Sequence, residues 1–143
     1  TCTGHSKAVT RAVYGEATAL LYSCSRDTTV RQWDPSKTAA EATRVLEGHD
    51  LACTALALSA DEGTLCSGSR DTSIRLWDVE TGICKASASL PRNLVTCVKH
   101  LPGESPSVVQ GGEDLRIRVW DAREESLRPA MTIEGYDFFP VRV

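Results

Sequence analysis

One unit is written three times in this chain. Leu21-Tyr-Ser-Cys-Ser-Arg-Asp-Thr-Thr-Val-Arg-Gln-Trp-Asp34 returns forty-four residues later as Leu65-Cys-Ser-Gly-Ser-Arg-Asp-Thr-Ser-Ile-Arg-Leu-Trp-Asp78, and forty-three residues after that as Val108-Val-Gln-Gly-Gly-Glu-Asp-Leu-Arg-Ile-Arg-Val-Trp-Asp121. Each copy is a run of strand formers, a tight polar turn and a second strand closed by Trp-Asp, and all three tryptophans belong to it. Self-similarity at a period of about 40–45 residues means a series of like supersecondary units, none able to bury its apolar face without a neighbour. A residue that recurs with the unit is therefore weighed first as part of the repeat.

Between the repeated turns the pattern is that of a β-meander. In the first unit strands are expected at Val9 to Tyr14, Leu20 to Ser25, Val30 to Asp34 and Thr43 to Leu46. The second runs in the same order, with Cys53 to Leu58, Leu65 to Ser69, Ile74 to Asp78 and Ile83 to Ser87, and Asp61-Glu-Gly63 and Glu80-Thr-Gly82 supply turn residues. The third has Val95 to Leu101, Ser107 to Gly111, Ile117 to Asp121 and Ala130 to Ile133, and the spacing from Leu51 to Asp71 matches that from Leu94 to Asp114. No helical period interrupts this, so the chain reads as all-β, in units of residues 5–47, 48–90 and 91–134 with a further unit beginning over 135–143. The chain starts in mid-pattern and stops in mid-pattern, so both ends are expected to be cut from a longer polypeptide.

A formal charge of −3 leaves no clustered Lys and Arg footprint, and nucleic acid is not expected as a partner. No apolar run reaches the roughly 18 residues that span a bilayer. The six cysteines, at 2, 24, 53, 66, 84 and 97, form no Cys-x-x-Cys pair, and several sit within apolar strand-like runs. They are expected as small buried hydrophobes in a reducing, cytoplasmic compartment. His100 stands without companion ligands, so packing is expected of it rather than metal binding.

His5, Ser23 and Asp27 are the ingredients of nucleophilic catalysis, and His49, Ser67 and Asp71 repeat them at equal spacing. With Gly-His ahead and Trp-Asp behind, these residues resemble the WD-repeat β-propeller family. The resemblance implies four-stranded blades in a ring of seven or eight, three of them here with the start of a fourth. It also implies a structural tetrad in each blade: His5, Ser23, Asp27 and Trp33, then His49, Ser67, Asp71 and Trp77. The chemistry supports this independently: an indole N–H needs an acceptor, a hydroxyl can accept and donate onward to imidazole, and a carboxylate can accept from the other ring nitrogen. A nucleophilic serine needs instead an oxyanion hole and an elbow such as Gly-x-Ser-x-Gly, which the sequence lacks. Catalysis needs one triad, whereas like units need one brace each. The third unit keeps Asp114 and Trp120 but has Arg92 and Gln110 at the His and Ser positions. Gln110 is expected to accept from the indole and Arg92 to pair with Asp114.

For function, the resemblance implies partner contacts at the residue before each tetrad Asp and early on each innermost strand. These are Arg26, Arg70 and Glu113, with Ala8 and Thr10, Ala52 and Thr54, and Val95 and Cys97. The expectation is a non-catalytic protein-interaction scaffold, a subunit of a larger assembly, with no cofactor, metal or membrane span. The alternative is a propeller attached or accessory to an enzyme whose active residues lie elsewhere. Within the family, Cys66 to Gly82 and Pro91 to Thr96 resemble a cilium-associated member, which implies a setting in ciliary assembly or transport.

Overall fold

The computed structural model describes residues 3–37, 41–103, 106–123, 126–138 and 140, so Cys2 and most of 139–143 lie outside the described residues. Among these described residues twelve strands follow one another: β1 (Val9–Tyr14), β2 (Leu21–Ser25), β3 (Val30–Trp33), β4 (Arg44–Leu46), β5 (Cys53–Leu58), β6 (Thr64–Ser69), β7 (Ser73–Asp78), β8 (Cys84–Ser89), β9 (Val95–His100), β10 (Ser107–Gly112), β11 (Ile117–Asp121) and β12 (Arg128–Ile133). They form three four-stranded antiparallel sheets, each a meander in sequence order, and there is no helix among the described residues. Expected and observed strand ends agree to within one or two residues. Pro129 is tolerated in β12 because that strand is an outer edge, where a missing N–H breaks no ladder.

The turn that each repeat carries has one backbone solution. Thr28, Thr72 and Leu115, each directly after the turn aspartate, all take positive φ, at 75°, 74° and 64°. Side chains there are uncommon and cost on the order of 1–3 kcal/mol, so the surrounding hydrogen bonds must hold the turn. Asp27 supplies them by accepting from the Thr29 amide and hydroxyl at 3.0 and 2.7 Å, and Asp71 does the same for Ser73 at 2.8 and 2.6 Å.

The core lies between sheets. One cluster joins Tyr22, Cys24, Val30 and Leu46 of the first sheet to Cys53, Leu56, Leu65 and Trp77 of the second. The other joins Ala55, Cys66, Ile74 and Leu76 to Val95, Val98, Val108 and Trp120 of the third. Burying apolar area at about 25 cal/mol per Å² is the main force holding the sheets side by side. Polar ties fix how they stack. The Thr10 hydroxyl donates to the Cys53 carbonyl at 2.7 Å, that of Thr54 to Val95 at 2.6 Å, and that of Thr96 to Pro140. At the first junction Glu62 also accepts from the Ala17 and Thr18 amides and the Thr18 hydroxyl at 2.7–2.9 Å, and Arg44 donates to the carbonyls of Val79 and Glu80. Cys24, Cys53, Cys66, Cys84 and Cys97 are free thiols. Burial pushes the thiols of Cys24, Cys53 and Cys66 up, which fits packing rather than reactivity.

Candidate functional site

The catalytic-looking residues are bound to one another. Trp33 Nε1 donates to Ser23 Oγ at 2.8 Å, Ser23 Oγ lies 2.8 Å from His5 Nε2, and His5 Nδ1 lies 2.8 Å from Asp27 Oδ2. In the second sheet the same chain runs from Trp77 through Ser67 and His49 to Asp71 at 2.8, 2.8 and 2.9 Å. A neutral imidazole with its proton on Nδ1 satisfies every member: indole to hydroxyl, hydroxyl to Nε2, Nδ1 to carboxylate. The rings pack edge to face, with centroids 5.9 Å apart for His5 and Trp33 and 6.4 Å for His49 and Trp77. Burial pushes His49 below its ordinary pKa although Asp71 opposes the shift. Burial also works against the Asp71 charge, but hydrogen bonds from Ser73 and His49 outweigh it, and the carboxyl is held below its usual range. Asp27 is depressed in the same way by Thr29 and His5. Ser67 is wholly buried, so no substrate reaches its oxygen.

The glycine of each Gly-His pair is part of the brace. Gly48 has φ of 153°, and a Cβ on it would meet the Arg75 guanidinium at 2.9 Å and the Trp77 ring at 3.3 Å. Gly4 stands in the same relation to Arg31 and Trp33.

In the third sheet Trp120 Nε1 donates to Gln110 Oε1 at 2.8 Å. Arg92, by contrast, does not pair with Asp114. It is exposed in a turn at φ of 64°, and the partner of Asp114 is Arg118, whose two terminal nitrogens donate at 3.2 and 2.5 Å. The histidine's place is taken by Asn93, 1% exposed. In the amide orientation that satisfies its neighbours, it donates to Asp114 at 3.0 Å and accepts from Gln110 Nε2 at 2.9 Å and Arg118 at 3.1 Å. Gly112 makes this possible. The first two sheets have Ser25 and Ser69 at that step, and any Cβ on Gly112 would lie 1.8 Å from the Asn93 side-chain amide.

A second correction concerns register. Cys53 pairs with Ser69 and Val95 with Gly112, with a bulge following in both, so the third-sheet counterpart of Thr54 is Thr96. Cys97 is 6% exposed and Val95 1%, so neither offers a side chain to a partner. Likewise the amides of Arg26, Arg70 and Glu113 donate to the carbonyls of Ala8, Ala52 and Leu94, which puts Leu94 where Val95 was expected. The extra residue lies between β9 and β10, where His100 faces Val108, against Leu58 facing Leu65 in the second sheet.

Within a meander, the turns after the second strand share one rim, opposite the turns after the first and third. On that rim Arg26, Arg70 and Glu113 are all exposed. Arg26 and Arg70 share with Arg11 a recess of about 370 Å³ that also includes Thr10 and Thr54. Elsewhere, His100 Nε2 is buried without a hydrogen-bond partner among the described residues, beside a recess of about 510 Å³ between the second and third sheets. No group of potential metal ligands exists among the described residues.

The sequence profile of the family described as WD domain, G-beta repeat matches residues 1–34 and 40–78, just over half of the chain. The chain belongs to the WD-repeat family. The two matched stretches carry the two intact tetrads, and the three sheets are its β-propeller blades. No curated protein matches the chain. What the WD-repeat pattern did not reveal is the part of Asn93, Gly112 and Arg118 in the rebuilt brace of the third blade, where they join the expected Gln110, Asp114 and Trp120. One signal for it was present: Arg stands two residues before Trp in every blade, as Arg31, Arg75 and Arg118.

Proposed function

We propose that these WD-repeat blades serve as a non-catalytic protein-interaction scaffold, with the rim of Arg26, Arg70 and Glu113 as its contact face. The observation that carries this reading is how the polar groups are divided. Histidines, serines and aspartates that could do chemistry are consumed in buried braces, whereas the arginines beside those aspartates stand at the surface. A rigid frame holding loops from distant parts of the sequence in one plane loses little to ordering on binding. Membership in a closed ring within a larger assembly extends the same reading, supported by the Pro140 carbonyl, which accepts from Thr96 as Cys53 and Val95 accept from Thr10 and Thr54. A ciliary setting is the finer part of the proposal. It rests on the resemblance of Cys66–Gly82 and Pro91–Thr96 to the cilium-associated WD repeat-containing protein thirty-one, and imaging of the tagged protein in ciliated cells tests it. The contact face is tested by purifying wild type and the Arg26→Glu/Arg70→Glu variant with their partners from the native source. Loss of partners from a folded variant is expected, and an unchanged partner set refutes the assignment.

A further inference from the structure

The rim does more than offer a surface, because its charges are ordered. Arg26 and Arg70 each follow a serine and precede an aspartate, and an ion pair within the turn would neutralise them. The structure removes that option. The side chains of Asp27 and Asp71 are only 4% and 9% exposed, turned inward onto His5 and His49. Among the described residues no ion pair or side-chain hydrogen bond engages Arg11, Arg26 or Arg70. The neutral donors of the recess are also taken, since the Thr10 and Thr54 hydroxyls are given to the carbonyls of Cys53 and Val95 at 2.7 and 2.6 Å. What remains to meet a ligand is three guanidinium groups above small side chains, on a chain whose net charge is −3. One blade further, at the same step, the sign reverses to Glu113.

We propose that the recess takes an acidic segment of a partner protein, its carboxylates set over the first two blades and a non-acidic residue over Glu113. The proposal rests on the scaffold reading and adds the partner's chemistry and direction. Guanidinium forks match carboxylates in geometry and charge. Ala8 and Ala52, where larger side chains would block approach, leave room for an extended chain. The alternation of Arg, Arg and Glu fixes which way that chain runs, because like charges placed together are penalised.

The test uses fluorescence anisotropy of the full-length protein with fluorescein-labelled oligoglutamate and, as the opposite charge, oligolysine. Oligoglutamate is expected to bind, more weakly as salt rises, and oligolysine is not. Arg26→Ala/Arg70→Ala should weaken oligoglutamate binding by about two- to thirtyfold, the combined effect of two exposed ion pairs. Glu113→Lys should tighten binding, and Lys37→Glu on the opposite rim should leave it unchanged. A thermal melt establishes that each variant is folded. Equal binding by the double Ala variant overturns the proposal, as does tighter binding of a single-stranded oligonucleotide or of phosphatidylserine vesicles. Failure here is separable from failure of the scaffold reading. A protein that ignores oligoglutamate yet keeps native partners sensitive to Arg26 and Arg70 overturns only the acidic assignment; insensitivity in both experiments sinks both.

Discussion

Replacing Ser67 with Ala removes one oxygen from the middle of the intact brace. Ser67 Oγ accepts from Trp77 Nε1 at 2.8 Å and sits 2.8 Å from His49 Nε2, in a site with no exposed surface. Without it the indole N–H loses its acceptor and the imidazole its donor, and no water can enter without repacking. An unsatisfied buried group costs about 1–3 kcal/mol, so the two together should destabilise the fold by about 2–6 kcal/mol. For a chain of this size that is a fall in Tm of about 5–25 °C. Urea unfolding followed by tryptophan fluorescence measures the loss. The mechanism is isolated by a double-mutant cycle with Trp77→Phe, which deletes the donor: in that background Ser67→Ala should cost about 1–2 kcal/mol less. A single variant within about 0.5 kcal/mol of wild type, or a cycle with no coupling, would refute the brace.

In the third blade, Arg118→Met should destabilise by about 2–3 kcal/mol because Asp114 loses its charged partner, whereas Arg92→Ala should stay within about 0.5 kcal/mol; the reverse order in urea would restore Arg92 as the partner. Acid should weaken the fold in two stages. His49 is held below its ordinary value, so from about pH 6.5 downward the unfolded chain binds a proton that the folded chain refuses, and stability falls. Asp27 and Asp71, held below the usual carboxylate range, add a further loss below about pH 4. Urea midpoints across this range check it, and a midpoint that rises between about pH 7 and pH 5 would contradict the assignment of a neutral His49.

The repeat made the architecture legible because each strand is bounded by its own turn residues and each Trp-Asp marks the same step. Gln110 was legible for a similar reason: a side-chain carbonyl at the serine position can accept from an indole. Asn93 was not, because its place in the brace depends on Gly112 giving up a side chain across the sheet, a compensation that spacing does not encode. The pairing of Asp114 with Arg92 failed because Arg92 stands exposed in its turn while Arg118, from the neighbouring strand, reaches the carboxylate. Its true partner Arg118 was visible in the Arg-x-Trp pattern, where Arg31 and Arg75 lie beside the tryptophans instead, the histidines having claimed the aspartates. The slip that put Cys97 in place of Thr96 arose from one extra residue between β9 and β10. The whole-interval match concealed it, and only the strand pairing revealed it.

The division between buried brace and binding rim is tested most directly by site-specific photo-crosslinking in the native cell. A photo-crosslinking amino acid is placed in turn at Arg26, Arg70 and Glu113 on one rim, and at Glu16, Lys37 and Glu80 on the other, all exposed positions. Adducts to a shared partner from Arg26 and Arg70, with none from the opposite rim, are the predicted result. Adducts confined to Glu16, Lys37 or Glu80 would contradict it.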